Sequence, residues 1–100
     1  MEINTLGLTA ALTAFLSIWI GHVAVRKIEF ISPTIWLPTI LFTALGLFTE
    51  YSSLITDNLS LKTSLGIIGI TFLWDALEFT RQQKRIRKGH APANPNNPRH

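Results

Sequence analysis

The sequence predicts an all-α fold of three transmembrane helices, running up, down and up, with the third helix extended into the cytoplasm and a disordered C-terminal tail. Three observations point there. Residues 6–25 carry no formal charge, residues 35–55 carry one, Glu50, and residues 60–79 hold Lys62 at one end and Asp75 and Glu78 toward the other. Each stretch matches the about 20 mostly apolar residues that cross about 30 Å of hydrocarbon. A soluble chain of 100 residues with helices apolar on every side would lack the polar faces that such helices turn to water. Lys and Arg then set the orientation. Arg26 and Lys27 follow the first stretch, six basic residues follow the third, and no Lys or Arg precedes the first. Basic residues stay on the cytoplasmic side, so the N-terminus is expected outside and the C-terminus in the cytoplasm.

The first span, residues 6–25, is preceded by a single charge, Glu2. A secretory signal peptide would need a basic start and a small-residue cleavage site, so a membrane span is the preferred reading. Its connection, residues 26–34, ends at Pro33, which disfavours helix at Ser32. The second span, residues 35–55, carries Pro38 in its first turn or so, where a missing donor costs least. Thr56, Asp57 and Asn58 read as a turn leading into a cap for the third helix. That helix is expected to span over residues 60–79, continue over residues 80–88 and stop at Gly89. Short connections favour antiparallel neighbours, hence a three-helix bundle forming a single domain over residues 1–90. Residues 91–100, with Pro92, Pro95 and Pro98, are expected to be a flexible tail.

Several side chains carry candidate chemistry. Gly7, Ala10, Ala14, Ser17 and Gly21 recur at three- and four-residue steps and make a small-residue packing face on the first helix. That face can meet another helix of this chain, another subunit or another copy. His22, Arg26 and Lys27 near the inner end of the first span, with Asp75, Glu78 and Arg81 of the third, are expected to form an inner-face polar cluster in which Asp75 or Glu78 pairs with Arg26, Lys27 or Arg81. Glu50 is the isolated intramembrane acid. It is expected to reach the outer interface, or otherwise to face a partner helix or a cavity. Arg81, Lys84, Arg85, Arg87 and Lys88 are candidate contacts for anionic lipid headgroups rather than for nucleic acid.

No catalytic motif is visible, and no metal-binding spacing such as HExxH. The absence of cysteine excludes disulfides and thiolate chemistry. A lone intramembrane histidine, His22, supplies one axial haem ligand, and a haem with two histidine ligands would need a second copy or another subunit, so no cofactor is expected.

Trp74, Glu78, Gln82, the run Lys84-Arg85-Ile86, Lys88-Gly89, Pro92 and Asn94-Pro95 resemble the C-terminal signature of a family of small bacterial integral membrane proteins, domain-of-unknown-function family 4491. Gly21-His22, Lys27 and Glu29-Phe30 resemble its first-loop motif, and Trp36, Gly46, Glu50 and Leu65-Gly66 also fit. The sequence departs from the family pattern at Val23, where proline tends to follow the histidine, and at His90-Ala91, which replaces an aromatic pair. The resemblance implies three spans and brings no activity, ligand or catalytic residue. The sequence thus leads to a non-catalytic accessory or assembly subunit, partnered by membrane lipids and by other membrane-protein subunits or further copies of itself. The alternative is a transport or cofactor-anchoring subunit (haem, quinone or metal) using His22, Glu50, Asp75 and Glu78.

Overall fold

The computed structural model describes residues 5–100. Glu2, the charge ahead of the first apolar stretch, lies outside the described residues. The chain is all-α, with α1 (Leu6–Ile31), α2 (Trp36–Ile55) and α3 (Leu59–Arg87). By length and composition one of the three, α1, is long and apolar enough to cross a membrane, a property it shares with signal sequences.

The helices begin and end where local chemistry directs. α1 does not stop at Val25 but continues through Arg26 and Lys27 to Ile31, because no proline or glycine interrupts it after Gly21. The first connection is correspondingly shorter than expected. Pro38 is the third residue of α2, inside the first turn. Asn58 caps α3, its side chain accepting from the Leu61 amide at 3.0 Å. At the other end of α3, Gly89 takes a φ of 79°. The His90 amide donates to the Arg85 carbonyl at 2.8 Å, and that of Gly89 to the Ile86 carbonyl at 3.0 Å. This is a Schellman turn, and it reverses the chain.

α3 is the central element, packed against both α1 and α2. Contacts at Thr13–Ser64, Ser17–Thr71 and Gly21–Asp75 advance together, so α1 and α3 are parallel. Phe42 packs on Phe79, Gly46 on Leu73 and Ser53 on the Lys62 carbonyl, so α2 is antiparallel to α3. The up-down-up order holds, but the arrangement is a slab around α3, measuring 57 × 26 × 16 Å. The main core lies near the basic end, where Val25 of α1, Phe42 of α2 and Ala76 and Phe79 of α3 converge. Phe42 meets Phe72 and Phe79 edge-on, with ring centroids 5.7 and 5.0 Å away.

The tail is a correction. Its composition predicts a disordered segment, yet residues 91–100 fold back over the end of α1. Asn97 is buried, and its Nδ2 donates to the carbonyls of Ser32 at 2.8 Å, Phe30 at 3.1 Å and Glu29 at 3.4 Å. Asn94 Nδ2 also donates to Phe30, at 2.8 Å. The last carbonyls of a helix have no partner within it, and here the tail supplies donors to those of Glu29 and Phe30 and to Ser32 just beyond. The Pro-rich composition removed helix as an option without removing order.

Candidate functional site at the basic end

Side chains of the α1–α3 seam and the returning tail form the polar region of the molecule. On α1, the small-residue face turns inward from its midpoint. Ser17 Oγ donates to the Thr13 carbonyl at 2.6 Å and lies 3.4 Å from Thr71 Oγ1, while Thr13 and Ser64 hydroxyls are 3.0 Å apart. Gly21 is buried under Asp75; a Cβ there would sit 2.5 Å from the carboxylate. Ala10 and Ala14 are half-buried, whereas Gly7 is exposed with nothing within 4 Å of a Cβ position. The stripe therefore serves this chain's own helix pair at Ser17 and Gly21.

The expected polar cluster is gathered in part. His22, Arg26, Asp75 and Glu78 line one small cavity of ≈ 20 Å³ together with Gln82 and Arg85. Glu78 pairs with Arg81 at 2.8 Å, and the Arg81 guanidinium also lies 4.8 Å from the centre of the Trp74 ring. Asp75 forms no ion pair among the described residues; its carboxylate covers Gly21. Arg26 and Lys27 form none either, and Lys27 stands outside this cavity. No three His, Asp or Glu side chains among the described residues, His22, Asp75 and Glu78 included, are grouped to hold a metal ion.

Glu50 does not reach outward. It turns into the α2–α3 seam at Gly69, where an added Cβ would sit 2.5 Å from its Oε1 and 2.8 Å from its Cγ. That oxygen is buried without a hydrogen-bond partner among the described residues. The glycine leaves room for the acid, so the expected interfacial position is replaced by a helix–helix contact.

Glu29 is the residue sequence reasoning missed. Its side chain is fully buried, and Oε1 meets Arg99 Nη1 at 2.9 Å and His100 Nε2 at 3.1 Å. The Asn94 amide donates to His100 Nδ1 at 2.7 Å, which assigns the ring proton to Nε2, facing Glu29. Arg99 also donates to the carbonyls of Glu29 at 2.6 Å and Ser32 at 3.0 Å, and to Gln83 Oε1 at 3.2 Å. A cation at a helix C-terminus complements the dipole as well as the carbonyls. The available signal was a single acid following Arg26-Lys27, but its partners lie about 70 residues away.

The family model described as Domain of unknown function (DUF4491) matches residues 4–97. The chain belongs to this family. No curated protein and no solved structure is detectably similar to it. The DUF4491 match takes in all three helices and the tail through Asn97, so the returning segment falls inside the family region.

Proposed function

We propose that this chain is a non-catalytic, three-span protein of a bacterial inner membrane, acting as an accessory or assembly subunit of a larger membrane complex or as a homo-oligomer. One observation carries the reading. Among the described residues five hydrophobic side chains are buried, while large apolar side chains on every helix lie exposed, among them Phe15, Trp19, Leu37, Phe48, Leu54, Ile70 and Leu77. Apolar surface exposed on this scale needs lipid or a protein partner to cover it. Glu50 and hydroxyl residues interrupt the apolar run of α2, and Lys62, Asp75, Glu78 and the basic extension make α3 less apolar than α1. Their acids face the seams, with Glu50 against Gly69 and Asp75 against Gly21, as intramembrane acids do. Lys84, Arg87 and Lys88 stand exposed at the basic end, placed for anionic headgroups.

A second reading, transport, is favoured by the unpartnered Glu50 oxygen within an apolar seam. Purification in a mild detergent followed by mass determination separates the two. The subunit reading expects a specific oligomer or a stoichiometric co-purifying membrane protein. A monomer without companions, together with a vesicle ion flux abolished by Glu50→Gln, would replace it with transport.

A further inference from the structure

The returning tail builds a second concavity. After the Schellman turn at Gly89, residues His90, Ala91 and Pro92 wall a cavity of ≈ 540 Å³ against α1 and α3. Arg26, Lys27 and Arg85 supply its cations, and no acid lines it. Arg26 and Lys27 are in no ion pair among the described residues, and Arg85 makes only a 3.3 Å hydrogen bond to Gln82. The neighbouring acids offset little of this charge. Glu29 is engaged by Arg99 and His100 and Glu78 by Arg81, while Asp75 lines three neighbouring cavities, the smallest of them shared with Arg26 and Arg85, but not this one. The cationic pocket also has an apolar wall, Val23 and Phe30. Val23 continues it into a wholly apolar groove of ≈ 210 Å³ with Trp19, Ile20 and Ala24. That groove runs along α1 away from the basic end.

We propose that this is a binding site for one anionic phospholipid of the cytoplasmic leaflet. The headgroup phosphate lies between Arg26, Lys27 and Arg85, and one acyl chain lies along Val23, Ile20 and Trp19. The proposal rests on the three-span reading. A multidentate cationic pocket matches a phosphate's charge and several acceptor oxygens, and the groove leads toward the bilayer centre, the direction an inner-leaflet acyl chain takes. It differs from the exposed basic stretch of α3 because it is concave, is assembled from two helices and the tail, and has an apolar extension along α1.

The test is quenching of Trp19 fluorescence in the full chain carrying Trp36→Phe and Trp74→Phe, in mild-detergent micelles doped with acyl-brominated phosphatidylglycerol or acyl-brominated phosphatidylcholine. The proposal expects stronger quenching by phosphatidylglycerol at equal mole fraction, and a loss of that preference on the order of ten-fold in Arg26→Gln/Arg85→Gln. Equal quenching by both lipids would overturn the site while leaving the membrane reading intact. Quenching by neither would remove the membrane reading itself. Full reversal by millimolar inorganic phosphate would reassign the pocket to a soluble anion. Equal loss on neutralising Lys84 and Lys88, which lie outside the pocket, would reduce the effect to general surface charge.

Discussion

Glu29→Ala should release the C-terminal tail. The substitution leaves the Arg99 guanidinium, 12% exposed, without its counter-charge, and leaves His100 Nε2 with no acceptor. Breaking a buried pair from one side costs about 3–5 kcal/mol. The chain has a cheaper route than unfolding, which is to undock residues 91–100 and return Arg99 to water. The cost therefore falls on the tail and not on the helices. Trypsin cleavage after Arg87 and Lys88 reads the open population, and it should accelerate roughly a hundredfold, the equivalent of about 3 kcal/mol, with helix content unchanged. Glu29→Gln keeps an acceptor and should open the tail less. An unchanged cleavage rate in Glu29→Ala would show that the tail is held by its backbone-capping contacts alone.

Gly46→Val should separate α2 from α3. A Cβ at Gly46 meets Leu73 Cγ at 2.7 Å, Leu73 Cδ2 at 2.8 Å and the Gly69 carbonyl oxygen at 3.0 Å. The leucine tip can shift, but a backbone carbonyl inside a helix cannot, so the helices must move apart. Overpacking of this kind costs typically about 1–3 kcal/mol. On the three-span reading the loss is compounded, because close backbone approach and packing hold helices together in lipid. Gly7→Val is the matched control. It carries the same gain in helix propensity, with nothing within 4 Å to meet. Unfolding in graded sodium dodecyl sulfate should show Gly46→Val destabilised by about 2 kcal/mol relative to Gly7→Val. Equal stability of the two would mean that the α2–α3 seam is looser than its geometry.

Both predictions concern long-range contacts, and these were the features least legible in the sequence. The helices were legible because their signals are local. Apolar runs mark α1 to α3, Pro33 and Pro38 bracket the start of α2, Asn58 caps α3, and Gly89 ends it. Even there, α1 runs on past its expected end at Val25 to Ile31, because leaving a hydrophobic stretch is not a reason for a helix to stop. The pairing of Glu78 with Arg81 was legible as a three-residue spacing. Glu29 with Arg99 was not, since nothing local connects them. Asp75 was expected in an ion pair and lies over a glycine instead, and Glu50 takes the second of its two expected positions, against a facing helix. Whether an acid reaches water or lies over a glycine depends on the facing helix, here Gly69 for Glu50 and Gly21 for Asp75. The tail was misread for a related reason. Proline and asparagine argue against helix, but asparagine and arginine side chains also donate to free helix carbonyls, and the end of α1 offers three.

The central claim is that all three helices cross the membrane and leave the C-terminus in the cytoplasm. The chain has no cysteine, so single-cysteine variants report without background. Asp57→Cys, in the α2–α3 connection, and Lys88→Cys, at the end of α3, can be labelled in intact spheroplasts with a membrane-impermeant maleimide. Three spans with a cytoplasmic C-terminus predict labelling of Asp57→Cys at once and of Lys88→Cys only after permeabilisation. Both positions labelled alike before permeabilisation, or protein released from membranes by alkaline carbonate, would contradict it.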